Sequence, residues 1–433
     1  QVYIGLKPYI EYFANENGYK VDDSKFEVTA DQASKENIKQ FIDSLKLTSN
    51  NKPLQVRDYQ FNAICNGIND GRRLLLSPTG SGKSLIIYVL LRWHEQFGRR
   101  QLIIVPTTSL VEQLYSDFQD YSSANGWKAS YNCYRIYGTV DKNTDMPITI
   151  STWQSLYKFP KQYFKDYKVI YGDECHLFKA KSLTTIMHKC QTTPYRVGTT
   201  GTLDGTKTHK LVLEGLFGKV YKTTTTKKLI ESNQLADLKI FAVILRYPEE
   251  VRRDNKNNTY QEEMDFLVQY YPRNKFIRNL ALDQNGNTLV LFQYVEKHGK
   301  ALYDMILQKA EDRKVFFIYG GTETQQRENA RKITEGEKNA IIIASFGTFS
   351  TGINIRNLHN IIFASPSKSR IRNLQSIGRG LRIGDNKTKC KLYDIGDDLS
   401  WKSKKNYTLL HMVERIKIYA DEDFEYNTAE VKL

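Results

Sequence analysis

Short apolar runs rich in β-branched residues alternate with stretches of helical periodicity through most of the chain. That alternation predicts parallel sheets covered on both faces by helices. In the first half the strand-like runs are Arg73-Leu-Leu-Leu-Ser77, Gln101-Leu-Ile-Ile-Val105, Ile148-Thr-Ile-Ser-Thr152, Lys168-Val-Ile-Tyr171 and Tyr195-Arg-Val-Gly198. A second series runs through Ile240–Leu245, Thr288–Phe292, Val315–Ile318, Ala340–Ala344, Asn360–Phe363 and Cys390–Tyr393. Each series is sufficient for one sheet, and the polar segment 222–228 with one helical stretch sets the boundary at 235–238. Residues 1–50 read as helical, broken at Asp22-Asp23-Ser24 and Ser49-Asn50-Asn51, and Arg252–Asn258 reads as a polar loop. The expected organisation is α/β: an N-terminal accessory segment over 1–50, one parallel-sheet domain over 51–236 and a second over 237–433.

A length of 433 residues agrees with two to three cores. The formal net charge of +15 adds an attraction for polyanions, of which DNA, RNA and anionic membrane are the usual ones. No apolar run approaches the roughly 20 residues of a membrane span, and Gln1-Val-Tyr-Ile-Gly-Leu6 lacks a signal-peptide pattern. The expectation is a soluble cytoplasmic protein; its start at Gln1 rather than Met leaves room for a natural N-terminus upstream. Five cysteines without a CxxC pair argue for reduced thiols and against structural zinc.

Three segments carry chemistry. Ser77-Pro-Thr-Gly-Ser-Gly-Lys-Ser84 follows an apolar strand and precedes the helical run Leu85–Leu91, the setting of a phosphate-binding loop. Thr79, Gly80, Ser81 and Gly82 would turn backbone N–H groups onto phosphates, Lys83 would reach the β and γ phosphates, and Ser84 would hold Mg²⁺. Ser77 stands where the strict pattern has Gly. Asp173 and Glu174 end another strand, where Asp173 would hold the metal and Glu174 would orient and deprotonate the attacking water. Cys175 and His176 diverge at a strand end and lack a ligand set; His176 reads as a link from the nucleotide site to the second domain. Gln375, Arg379 and Arg382 fall on one expected helix, with the two arginines placed to neutralise transition-state charge on the γ-phosphoryl group. The competing reading of that helix is a solvated basic face. In Arg57-Asp-Tyr-Gln60, Gln60 has a donor and an acceptor for an adenine edge and Arg57 a plane to stack on it.

The order of these elements resembles the DExH branch of superfamily 2 helicases, and within it the bacteriophage UvsW-type group. The likeness extends to Ile104–Leu110, Ser151–Gln154, Gly198–Leu203, Leu245–Pro248, Thr259–Glu263, Ala344–Ile353 and Tyr419–Glu422. It implies two tandem RecA-like domains, use of ATP and Mg²⁺, and a shortened N-terminal DNA-binding domain. It also implies a nucleic-acid track through Thr107, Thr108, Thr152, Trp153, Gln154, Thr348 and Ser350. Thr322 belongs to the same surface, and Trp153, Phe346 and Phe349 are candidates for base stacking, with the core as the competing place for such rings. Gly352 falls to the nucleotide. Thr200, Thr202 and Gln375, with His176, would couple nucleotide state to domain closure.

The function expected is an ATP-dependent DNA helicase that remodels forks and four-way junctions in phage replication, recombination and repair, with phage proteins as possible partners. A double-stranded DNA translocase or an RNA helicase shares the same motor residues. A binding module without hydrolysis is disfavoured by the intact Lys83, Asp173, Glu174, Arg379 and Arg382, and a P-loop kinase or transporter by the second sheet.

Overall fold

The computed structural model describes residues 2–22, 30–138, 141, 143–352, 355, 357–365, 367–383 and 387–433, and these divide into two compact units, 1–224 and 225–433. In the first unit the apolar runs become β1 (Arg72–Leu76), β2 (Gln101–Val105), β4 (Ile148–Thr152), β5 (Val169–Asp173) and β6 (Tyr195–Thr200). Two edge strands complete the sheet, β3 (Cys133–Ile136) and β7 (Val220–Lys222). The order is β3-β4-β2-β5-β6-β1-β7 and every pairing is parallel.

The second unit contains β8 (Asp237–Arg246), β9 (Thr288–Phe292), β10 (Val315–Ile318), β11 (Ile341–Ser345), β12 (Asn360–Phe363), β13 (Lys389–Asp398) and β14 (Tyr426–Lys432). They pair in parallel as β10-β11-β9-β12-β13-β8-β14. Counted from the first strand of each unit, the two orders are the same, 3-4-2-5-6-1-7.

Burial explains which strands the apolar pattern reveals. The central strands β2, β4, β5, β9 and β12 are buried along their whole length, and β2, β9 and β12 read as near-continuous apolar runs. Strand β14 is exposed at most of its positions, and β7 has only three residues, so neither carries that signal. Residues 252–254, expected in a loop, instead close the helix Glu249–Asp254, whose first turn is acidic and whose last turn is basic.

Within the first unit, described parts of the N-terminal segment pack onto the sheet's helices. Ile38, Ile42 and Leu45 join Ile64, Ile68 and Leu90 in one core, and Tyr9 donates to Glu214 Oε2 at 2.6 Å. The division at 224–225 places the helix Thr226–Glu231 with the second unit. Among the described residues no helix is long and apolar enough to cross a membrane.

Candidate nucleotide site and nucleic-acid edges

In a parallel sheet the segments that follow the strands all leave at the carboxyl edge. In the first unit this edge collects Ser77–Gly82 after β1, Thr107 and Thr108 after β2, Trp153 and Gln154 after β4, Glu174 after β5 and Thr202 after β6.

Between β1 and the helix Lys83–Glu95, Gly80 and Gly82 take φ of +83° and +82°. Such a conformation costs a residue with a Cβ about 1–2 kcal/mol, and a Cβ on Gly82 would also collide with Gln60 Nε2. The loop is braced from within. Ser77 Oγ and Ser81 Oγ lie 2.6 Å apart, Ser81 donates to Pro78 O at 2.6 Å, and Thr223 Oγ1 donates to Ser77 Oγ at 3.0 Å. Ser77, the departure from the strict loop pattern, is thus a buried strut. Lys83 Nζ donates to Ser77 O at 3.3 Å, and a Cβ built on Gly201 would stand 3.6 Å from Thr79 N and 3.7 Å from Lys83 Nζ. The segment after β6 therefore runs beside the loop. Turned amides, a helix N-terminus and an ammonium make a concavity that suits phosphates.

Arg57-Asp-Tyr-Gln60 is latched to this loop. Buried Gln60 accepts from Arg57 N–H at 3.0 Å and donates to Ser81 O at 2.8 Å, and Tyr59 donates to the same carbonyl at 2.9 Å. Each amide atom of Gln60 has capacity for one more bond. Arg57 is exposed, its guanidinium 3.2 Å from Tyr59 OH.

Asp173 closes β5, its Oδ1 accepting from Thr199 Oγ1 at 2.7 Å and from Glu174 N–H at 2.9 Å. Burial and the adjacent Glu174 push this carboxyl up, while Lys83 opposes the shift. Ser84 Oγ is 2.8 Å from Tyr121 OH, a phenol that burial pushes well above its ordinary value. Ser84 and Asp173 offer hard oxygen donors, as Mg²⁺ requires. No cluster of three or more His, Cys, Asp or Glu suited to a metal occurs among the described residues, so phosphates and water would supply the other ligands.

Glu174 has φ +49° and opens the 3₁₀ turn Cys175–Lys179. A chain of contacts starts from it: Glu174 Oε2 is 3.4 Å from His176 Nδ1, which is 2.9 Å from Thr200 Oγ1, and Thr200 donates to Thr202 O at 3.1 Å. The coupling candidates of this unit are thereby brought together. His209, which the sequence did not single out, holds them from behind: its Nε2 donates to His176 O at 2.8 Å, while Asp204 N–H donates to its Nδ1 at 3.2 Å. Thr199 and Tyr121 were likewise missed. Thr199 lies inside the noted Gly198–Leu203 segment, whereas nothing in the sequence flags Tyr121 or His209.

The track candidates of the first unit lie on neighbouring strands. Thr107 caps the helix Thr108–Tyr121 by accepting from Leu110 N–H at 3.3 Å, and Thr108 is exposed. Gln154 is exposed and donates to Pro106 O at 3.3 Å, joining the segments after β2 and β4. Thr152 is buried, its Oγ1 3.0 Å from Ser155 Oγ, and half-buried Trp153 packs partly on the core.

In the second unit Thr322 Oγ1 accepts from Tyr319 N–H at 3.0 Å after β10, and Ser345 Oγ donates to Thr348 Oγ1 at 2.8 Å after the adjacent β11. Ser350 and Gly352 fall in the helix Phe346–Gly352, and the Ser350 side chain lies outside what the structure describes. Phe346 corrects an expectation. At 1% exposure, with its ring centroid 5.4 Å from that of Phe363, it is a core residue with no face for a base, and Phe349, fully buried, is another. Gln375 and Arg379 are half-buried on the helix Arg370–Gly380, with the Arg379 guanidinium 5.8 Å from the Phe349 ring centroid. Arg382 is a second correction, because it lies beyond that helix. The helix stops at Gly380, where the Lys387 ammonium takes the Gly380 carbonyl and, at 3.0 Å, that of Arg382.

Comparison with known proteins places these edges in context. Residues 53–205 match the family described as type III restriction enzyme, res subunit, and residues 272–384 the helicase conserved C-terminal domain. The ATP-dependent DNA helicase uvsW of Enterobacteria phage T4 is 36% identical over 99% of this chain and 88% of its own length. A crystal structure of T4 UvsW is 33% identical, covering all of this chain and 88% of that one, with a TM-score of 0.47. The type ISP restriction-modification enzyme LlaBIII, solved bound to DNA, is 15% identical over 88% of this chain and 32% of its own, with a TM-score of 0.62 that bears on the fold alone.

Proposed function

The chain belongs to the UvsW-type family of superfamily 2 DNA helicases, and from that membership we propose an ATP-driven motor that rearranges branched DNA, by fork regression and migration of four-way junctions. The observation that carries the chemistry is the convergence of Lys83, Ser84, Asp173 and Glu174 at one sheet edge, with Thr199 Oγ1 2.7 Å from Asp173 Oδ1 and His176 Nδ1 3.4 Å from Glu174 Oε2.

In this reading the amides of Thr79–Gly82 and the Lys83 ammonium hold the β and γ phosphates, and Gln60 and Arg57 receive the base. Ser84 and Asp173 would hold Mg²⁺, which supplies charge neutralisation at the phosphates when bound. Glu174 takes the proton of the attacking water, and His176 reports its state through Thr200 to Thr202. Arg379 and Arg382 stabilise charge on the departing phosphoryl group. Gln375 and Gly352 serve the same nucleotide. Thr107, Thr108, Thr152, Trp153, Gln154, Thr322, Thr348 and Ser350 offer hydroxyls, amides and one ring to a strand whose phosphates they grip without reading bases.

ATP turnover measured with single-stranded, duplex, forked and four-way DNA, and with structured RNA, tests the proposal. Forks and four-way junctions are expected to stimulate most. Stimulation by plain duplex alone would make the protein a duplex translocase, and stimulation by RNA alone an RNA helicase.

A further inference from the structure

Strand β13 ends at Asp398 and the chain then makes a tight turn, Trp401 and Lys404 bridging through reciprocal N–H···O bonds of 3.1 Å with Lys402 at φ +53°. The turn is held firmly at its base. Arg252 donates to Ser400 O at 3.3 Å and to Tyr247 O at 3.1 Å, and Asn406 accepts from Leu399 N–H at 3.0 Å. Lys402, Lys404 and Lys405 are all exposed, and Lys404 Nζ reaches across to Lys256 O at 3.0 Å. Among the described residues none of these four lysines forms an ion pair. Behind the turn is a pocket of about 110 Å³ lined by Lys256, Asn258, Trp401, Lys404, Lys405 and Tyr407. Glu263 also borders it, but that carboxylate is spent: it accepts from Asn406 Nδ2, Tyr407 N–H, Thr408 N–H and Thr408 Oγ1 at 2.7–3.0 Å, capping the helix Tyr407–Asp421.

Three lysines and two aromatic residues lining so small a volume suit one tetrahedral anion and exclude a base. The turn leaves the carboxyl edge of the sheet that also bears Thr322 and Thr348. β13 stands three strands from β11, about 14 Å at the usual spacing, a distance covered by a few nucleotides at roughly 3.4 Å each. We propose that this pocket is a further contact for the DNA backbone, taking a phosphodiester group beyond the Thr322 and Thr348 row. The assignment rests on the reading of those threonines as a nucleic-acid track.

The test uses the full chain and labelled forked DNA, with affinity measured by anisotropy over a salt series. The double variant Lys404→Ala/Lys405→Ala should bind about tenfold more weakly near 0.1 M salt, with the log–log salt slope reduced by about 1–2. Its nucleotide affinity without DNA should stay unchanged, and Lys404→Arg/Lys405→Arg should restore the slope. Wild-type affinity and slope in the alanine variant would overturn the assignment while leaving the helicase reading intact. Inorganic phosphate at constant ionic strength should narrow the difference between variant and wild type, as competition for one anion site requires; a difference that phosphate leaves untouched would put the effect of these lysines outside the pocket and overturn the assignment. A wild-type protein that binds no DNA at all would sink the track and this pocket together.

Discussion

Glu174 is held in a backbone region that costs a side-chain-bearing residue of the order of 1–3 kcal/mol, so its position is imposed by the surrounding strands. Glu174→Gln keeps shape and hydrogen-bonding capacity but removes the base; it should lower turnover by about 10²–10⁴-fold while retaining ATP, as filter retention of labelled nucleotide would show. A variant that no longer bound ATP would place Glu174 in binding and not in proton transfer. Lys83→Ala should do the reverse and lose nucleotide with the fold intact by circular dichroism. These residues were legible because their chemistry is local: glycines, a lysine and a hydroxyl at fixed spacing, and paired acids at a strand end. Thr199, Tyr121 and His209 were not, since each meets its partner across 26 to 37 positions of sequence. Arg382 shows the limit of spacing arguments. Helical periodicity through Gln375, Arg379 and Arg382 was sound up to Gly380, where the Lys387 amine ends the helix.

At the scale of elements, strand β13 carries two buried ion pairs on opposite faces of its sheet, Asp394 and Asp397 being three residues apart. Asp397 takes the guanidinium of Arg273 at 2.7 Å and the Tyr247 hydroxyl at 2.9 Å; Asp394 takes Arg415 at 2.8 Å and Tyr419 at 2.7 Å. Each arginine has a second duty, Arg273 donating to Ala364 O and Arg415 to Ser367 O, just ahead of the helix Arg370–Gly380. Asp397→Asn would strand a buried guanidinium and should cost about 3–5 kcal/mol, read as a lower urea midpoint for the second unit. In the first unit Asp31 ties the N-terminal segment to the core. Burial alone would raise its carboxyl, but bonds from Arg99, Trp93 and Tyr195 outweigh it and hold the pKa at about 2, below the ordinary 3.8. A depressed carboxyl contributes stability that is complete above 3.8 and disappears as pH falls through 2. The gap in urea midpoint between wild type and Asp31→Asn should therefore be constant near neutrality and close between those two values; a gap that persisted at pH 2 would deny the charge its role. The elements themselves were legible wherever strands are buried on both faces. Edge strands such as β14, exposed and polar, escape any rule that looks for apolar runs.

For the whole molecule the informative fact is repetition: two sheets with one strand order, the first with the glycine-turned loop Ser77–Gly82 after its first strand, the second with Tyr247-Pro248 in that place. Both carry hydroxyl-bearing turns on their carboxyl edges, and under the proposed function these would hold a strand at two places while ATP binds at one. In the proposed reading none of those groups reads a base, so selectivity would come from the shape and energetics of the substrate. Migration of a junction breaks one base pair for each one it forms, leaving the motor to supply direction and a local opening cost, whereas separation of a blunt duplex must supply about 1.4 kcal/mol per step without return. Branched DNA should accordingly be converted to regressed or migrated products, resolved on native gels, under conditions in which blunt duplex of the same sequence stays paired. Salt should weaken binding steeply, and changing base sequence at constant junction geometry should leave the rate nearly unchanged. A protein that unwound structured RNA while leaving forks and four-way junctions intact at the same ATP and Mg²⁺ would refute the junction reading and keep only the motor.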